Sequence, residues 1–350
     1  MKPWLPPAER SGNLVHRDRS RLDAWHAGAG EPALLPDLPI VDAHHHLWQR
    51  PGDDYGIAEL AAEIRASGHA VQSSVFVECG WHYDPALPEF FRPVGETRQV
   101  ARAASAAGPT DSGLCAGIVG FADLTAGAQV EAMLQAHIEA RRGRFRGARH
   151  RAVWDPAIRP GTPGSRPGLV GDPAFRAGFA VLQRLGLSFD AWQYYTQLDE
   201  VVDLARAFPE ANIIVNHCGG PLGVGPHARP EARVYERWRA GIAALGRCPN
   251  VTIKLSGLGM LHCGHDLHYG EAPPSSDALL RGWRPWLEPW LEAFGASRAM
   301  FASNFPPDKQ SCGYGVMWNA FKRIVAGCSE AERADLFAGT AGRAYRLPVA

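Results

Sequence analysis

Residues 39–48 read Pro-Ile-Val-Asp-Ala-His-His-His-Leu-Trp, a short apolar run that enters a dense group of imidazoles. Read as a strand, its period-2 alternation puts Asp42, His44 and His46 on one face and Ala43, His45 and Leu47 on the other. Two imidazoles on one face at the end of a buried strand can hold a divalent metal or a reactive water. Neutral imidazole nitrogen is the commonest protein ligand for such ions, and a nearby carboxylate orients the ring. A polar strand end with satisfied histidines is the plainer reading, and it suits a lone His better than a His-x-His pair behind an apolar strand.

Working outward, seven more short apolar runs follow, at 71–79, 114–123, 145–153, 187–193, 212–217, 251–256 and 299–304. Several have the continuous β-branched character of strands covered on both faces. Between them, 57–67, 97–107, 129–142, 173–185, 198–208, 230–245 and 284–294 carry apolar residues at three- and four-residue steps, with Asp172-Pro173 and Arg284-Pro285 read as helix starts. Strict alternation needs right-handed crossovers and a parallel sheet, and eight strands favour closure. No Gly-x-Gly-x-x-Gly follows the first strand, which argues against an open dinucleotide-binding sheet. The fold expected is α/β, a single (β/α)8 TIM barrel over residues 38–347 preceded by an N-terminal arm over 1–37. Two connections, 154–171 and 257–283, are longer than a barrel needs and read as lids or pocket walls. The second contains His262, Cys263, His265 and His268, whose spacing reads as a polar lid in preference to a second metal cluster.

Composition sets the limits on partners. Lys plus Arg and Asp plus Glu both count 36, so there is no overall charge to draw the chain to nucleic acid or to an anionic membrane, and any preference for an anion must be local. Seven cysteines without a C-x-x-C pair read as reduced thiols. Prolines interrupt the amino terminus where a secretory signal needs an apolar run, and no uncharged stretch reaches spanning length. The expectation is a soluble cytoplasmic protein with a small-molecule partner; a homo-oligomer stays open.

In such a barrel the chemistry lies at the carboxyl ends of the strands. Those ends hold His44 and His46, Glu78, Arg149, Gln193, His217, Lys254 with Ser256, and Asn304. Buried imidazoles and charges cost free energy unless paired, so their recurrence at one rim marks a site. Arg149 and Lys254 read as a local positive patch for a carboxylate or similar anion. Trp48, Trp81, Tyr83 and Trp192 read as walls for a ring, although aromatics at such places also serve as loop anchors.

Taken together, Val41-Asp42-Ala43-His44-His45-His46-Leu47-Trp48, Phe76-Val77-Glu78-Cys79, Arg146-Gly147-Ala148-Arg149-His150, Val215-Asn216-His217-Cys218-Gly219-Gly220-Pro221, Ile253-Lys254-Leu255-Ser256-Gly257 and Phe301-Ala302-Ser303-Asn304-Phe305-Pro306 resemble the amidohydrolase superfamily. The match is to its amidohydrolase-2 group of TIM-barrel metal-dependent hydrolases, which includes sugar lactonases and pyrone-dicarboxylate lactonases. The resemblance implies that His44 and His46 bind a divalent metal or, in metal-free lactonases, the substrate. It implies that His217 binds metal or the scissile carbonyl, and that Arg149 and Lys254 contact an acidic substrate.

Two departures stand out. The family usually reads Gly-Ser-Asp-Trp-Pro at strand eight, its Asp serving as metal ligand and base, whereas this chain has Ala302-Ser303-Asn304-Phe305-Pro306. Near strand five, Thr196-Gln197-Leu198 stands where many sugar lactonases have His-Gln-Leu. Asn304 can position a water but cannot take its proton. The base must then be Glu78, the first choice, or Asp308, which follows closely enough to turn back into the site. A zinc or manganese ion on His44, His46 and His217 is expected to be weak or absent, since Asn304 replaces the usual anionic ligand. The reading is a hydrolase that opens a small anionic lactone by water attack on a polarised carbonyl, with Arg149, Lys254, Trp81 and Trp192 binding the substrate. Non-oxidative decarboxylation of an aromatic or unsaturated acid, or a catalytically silent binding barrel, are the alternatives.

Overall fold

The structure, a computed structural model, describes residues 17–108, 111–140, 143–158, 162–229 and 232–347. Residues 1–16 of the arm, and the predicted helix ends at Arg142 and Pro230, lie outside them. Eight parallel strands run in chain order: β1 (Ile40–His45), β2 (Val71–Val77), β3 (Gly117–Phe121), β4 (Phe145–Arg149), β5 (Ser188–Ala191), β6 (Asn212–Val215), β7 (Val251–Leu255) and β8 (Ala299–Phe301). A helix, α1 (Arg19–His26), precedes them. Each strand is followed by a helix: α2 (Ile57–Ser67), α3 (Val94–Ala106), α4 (Val130–Ala140), α5 (Pro173–Arg184), α6 (Leu198–Ala207), α7 (Val234–Gly246), α8 (Ser276–Phe294) and α9 (Tyr314–Ile324). Two short helices, α10 (Glu330–Ala334) and α11 (Thr340–Tyr345), end the fold. The last seam closes just beyond β8, where Asn304 N donates to His44 O at 2.8 Å and His46 N to Phe305 O at 2.8 Å. This is the (β/α)8 barrel read from the alternation of runs.

Two buried layers explain why the strands read as nearly continuous apolar runs. Outward residues such as Phe76, Ile118, Phe189, Ile253 and Phe301 pack in the main core with the helices. Val41, Ala43, Val75, Val77, Val119, Ile214 and Met300 form a second cluster with Tyr345 of α11. Side chains from β1, β3 and β6 meet in one cluster only across the barrel axis. No helix among the described residues is long and apolar enough to cross a membrane.

Three expectations need correcting. Asp42 does not share a face with His44 and His46: a register shift lies between Asp42 and His45, and Asp42 instead accepts from Ser303 N at 2.8 Å and from Tyr314 OH of α9 at 3.1 Å. An extra residue in one strand breaks strict alternation. Helix α8 begins at Ser276, capped by Ser275 Oγ accepting from Ala278 N at 3.2 Å, and carries Pro285 and Pro289 inside it, so Arg284-Pro285 is not its start. Several predicted strands also run past their ends, because the chain turns into loop geometry where the polar residues begin. His217 and Asn304 have φ of 54° and 52°, a left-handed conformation outside any strand.

Candidate active site

The carboxyl ends of β1, β6 and β8 bring His44, His46, His217 and Asn304 together. The His44 and His217 ring centroids are 4.4 Å apart, those of His44 and His46 4.9 Å, and the two Nε2 atoms of His44 and His46 face each other at 3.2 Å. His217 is seated against Trp192, with centroids 4.6 Å apart, and against the backbone of Gly257. Gly257 has φ of 74°, and a Cβ there would stand 2.7 Å from the His217 ring, so the glycine after Lys254-Leu255-Ser256 permits this approach.

Hydrogen bonding assigns the protons. His46 Nδ1 lies 2.7 Å from Val77 O and must donate, which leaves its Nε2 lone pair facing His44. Lys254 Nζ lies 3.3 Å from His44 Nδ1 and 2.6 Å from Asp190 Oδ2. An ammonium donating to Nδ1 puts the His44 proton on Nε2, pointed at His46. Burial and the neighbouring Lys254 hold His44 well below the usual histidine pKa, and burial and Arg149 do the same for His46 and His217. All three rings are therefore neutral at pH 7. Burial lowers Lys254 to about 8, with Asp190 opposing the shift. Asp190 in turn accepts from Asn216 Nδ2 at 3.0 Å and from Tyr345 OH at 2.8 Å.

A cavity of about 270 Å³ opens over this group, lined among others by His46, Arg149, Arg151, Trp192, His217 and Asn304. A larger outer groove of about 720 Å³, between α3 and α4, has no histidine, cysteine or aromatic side chain and is not a candidate. Lys254, expected to bind substrate, is fully buried and absent from the cavity wall, with its Nζ directed to His44 and Asp190. Trp81 is also absent from the wall; its backbone N–H donates to Glu96 Oε1 at 2.8 Å, which anchors its loop. Glu78, the first choice as base, is fully buried and absent from the wall, with Oε1 2.8 Å from Arg149 Nε and 3.3 Å from Arg151 Nε. One carboxylate thus serves two guanidiniums and leaves a net positive wall. The Arg151 Nε–H has no hydrogen-bond acceptor. Arg151 was missed in the sequence although it stands only two residues beyond Arg149, just past the end of β4.

Asp308 lies behind Asn304. Its Oδ1 accepts from Asn304 Nδ2 at 2.7 Å and its Oδ2 from Gly259 N at 3.1 Å. Burial pushes its carboxyl up to about 7, and these donors offset that only in part. Asn304, its amide nitrogen held by Asp308, lines the cavity. Gln197, of the Thr-Gln-Leu departure, is structural: it donates from Nε2 to Ala152 O at 2.8 Å and accepts from Trp154 N at 2.9 Å.

The donors fit a divalent ion poorly. A spacing of 3.2 Å between Nε2 atoms suits two imidazoles on one ion. Yet the Lys254 contact puts a proton on His44 Nε2, Asp308 is engaged on both oxygens by amide donors, and Glu78 is tied by Oε1 to Arg149 and Arg151, which leaves only its Oε2 without a hydrogen-bond partner. Among the described residues no three His, Cys, Asp or Glu side chains are placed to hold a metal, and this includes the 257–283 loop. Wild-type protein dialysed against chelator and returned to zinc is expected to hold well under one equivalent, and Asn304→Asp to hold more; elemental analysis of the two side by side checks this.

The chain is similar to known proteins over most of its length. A chain of Sinorhizobium fredii described as an uncharacterized protein is 33% identical over 340 residues, covering 89% of this chain and 100% of its own length. An L-fucono-1,5-lactonase of Burkholderia multivorans is 27% identical over 321 residues, covering 88% of this chain and 96% of its own. The crystal structure of an amidohydrolase from Burkholderia multivorans with bound zinc superposes with a TM-score of 0.68 at 26% identity, covering 88% of this chain and 99% of the other. The amidohydrolase model Amidohydro_2 matches residues 41–347, from the first strand to the last helix, and the chain belongs to that amidohydrolase family.

Proposed function

We propose that this protein hydrolyses a small cyclic ester that carries an anionic group. The observation that carries the reading is one cavity walled by the neutral imidazoles of His46 and His217, by Asn304 and by the positive Arg149–Arg151 pair. Similarity to a lactonase of Burkholderia multivorans supports it.

The anion sits against Arg151 and Arg149, which brings the ring ester under the imidazoles. Ser256 Oγ lies 3.0 Å from His217 Nδ1, and in the tautomer this reading uses it donates to that nitrogen, so that His217 Nε2–H donates to the ester carbonyl and stabilises the oxyanion. Asn304, held by Asp308, accepts one hydrogen of the attacking water. As the acyl–oxygen bond breaks, the water's other proton passes to the departing ring oxygen, leaving a carboxyl and a hydroxyl, while the His44–His46 pair, its one free lone pair taken up by the His44 Nε2–H, stays neutral beside the reacting carbonyl. Lys254 keeps the His44 tautomer that this needs. In this reading Asp308 acts through Asn304 as a positioning residue. When bound, a divalent ion in this family would supply Lewis-acid polarisation of the carbonyl.

A panel of anionic and neutral lactones with aromatic carboxylic acids, run on chelated and metal-reconstituted protein, tests the reading. Anionic lactones should be opened in preference to neutral ones of the same ring. Carbon dioxide release from the acids would make the protein a decarboxylase, and no turnover on any member would make it a binding barrel.

The Asp308 geometry adds a pH prediction. Only the ionised carboxyl accepts on both oxygens, so hydrolysis should rise as pH passes through about 7. Stability runs the other way. A carboxyl raised from 3.8 to about 7 on folding has its full contribution below pH 3.8 and loses it as pH climbs through 7. In Asp308→Asn both steps should disappear; a surviving activity step near pH 7 would assign it to another group.

A further inference from the structure

We propose that the N-terminal arm is part of the substrate site, and that Leu22 of α1 sets the size limit which restricts the substrate to a single ring. This rests on the lactone reading above. The arm precedes residue 41, where the family match begins. Its helix has eight residues, too few to be stable alone, so docking must hold it. Leu22 is its one buried residue, and Leu22 lines the same cavity as His46, His217 and Asn304.

Arg19 and Trp25 hydrogen-bond to Asp54 O and Gly270 O, and the other docking contacts meet on the turn after Asp308. Arg17 N donates to Gln310 Oε1 at 2.9 Å, and Gln310 Nε2 donates back to Arg17 O at 3.0 Å. Lys309 Nζ donates to Asp23 Oδ1 at 3.0 Å, and His26 Nε2 lies 2.8 Å from Lys309 O. Lys309 and Gln310 directly follow Asp308, so the arm is fastened to the segment that aims Asn304. Arg19, also on the cavity wall, is neutralised by Asp23 at 2.8 Å. The arm therefore contributes an apolar surface and little net charge. An apolar side chain over a cavity of about 270 Å³ discriminates by volume, and each methylene in such a wall is worth roughly tenfold or more in kcat/KM.

Leu22→Ala and Leu22→Trp in the full-length protein test this against two anionic lactones, one with a single ring and one with the same ring fused to benzene. Leu22→Ala should raise kcat/KM for the fused lactone relative to the single-ring one by about tenfold, and Leu22→Trp should lower it. A second measurement does not need turnover. Cys79 lines the cavity and Cys328 does not; both are half-buried, and the other five cysteines are buried. Maleimide labelling of Cys79, relative to Cys328, should be several-fold faster in Leu22→Ala and slower in Leu22→Trp. Equal Cys79 labelling in all three proteins, or an unchanged ratio between the two lactones, overturns the proposal. If wild type opens no lactone, the lactone reading fails, and the labelling decides the arm's place in the site by itself.

Discussion

His217→Ala is expected to lower lactone hydrolysis by at least about a hundredfold while leaving the barrel folded, the scale on which a single oxyanion donor or acid–base group acts. The ring is held by Ser256, Trp192 and the bare backbone of Gly257, so its Nε2 is fixed before substrate arrives. Catalytic loss without structural loss is expected because an alanine here leaves space at the cavity wall and strands no buried charge. His44→Ala should fall at least as far. It removes the hydrogen-bond donor to His46 Nε2 and also leaves the Lys254 ammonium without its imidazole acceptor. Steady-state kinetics on the best lactone of the panel, with circular dichroism as the fold control, checks both. Turnover within a fewfold of wild type in the His217 variant would remove the proposed mechanism.

Asp190→Ala should be the most destabilising single change near the site. Lys254 and Asp190 are both fully buried and paired at 2.6 Å. Removing one partner leaves a buried charge uncompensated, which costs about 3–5 kcal/mol. Tyr345 OH and Asn216 Nδ2 also lose their acceptor. Urea unfolding should show a lower midpoint with an unchanged slope, and the double variant Asp190→Ala with Lys254→Met should recover much of the loss because no charge is left stranded. If the double variant is no more stable than the single one, the loss comes from packing around Tyr345 and not from the charge.

The barrel and its rim were legible because parallel strands buried on both faces write themselves as apolar runs, and a polar residue at the end of such a run has no packing reason to be there. That logic found His44, His46, His217 and Asn304 from one chain. It failed where local spacing and three-dimensional partners disagree. Lys254 and Arg149 are both cations at strand ends, but Lys254 is bound inward by Asp190 while the Arg149–Arg151 pair faces the cavity, and only the partners separate them. Asp42 was misplaced because a register shift leaves no mark in the sequence. Asp190 was overlooked although a carboxylate inside the buried run Ser-Phe-Asp-Ala is as anomalous as the histidines. The arm could not be connected to the site at all, since the contacts from Arg17 to Gln310 span nearly the whole chain.

The seam between β1 and the segment after β8 has a consequence for how activity arises. The backbone groups that close it belong to His44, His46, Asn304 and Phe305, so the final pairing of the sheet and the assembly of the reactive cluster are one event. A chain released before residue 304 would hold the imidazoles of β1 and β6 in local order and still lack the Asn304 amide. Recovery of turnover after denaturation should therefore follow circularisation of the sheet, with no partially competent species ahead of it, and a break placed between residues 301 and 308 would cost the molecule its closure and its chemistry together.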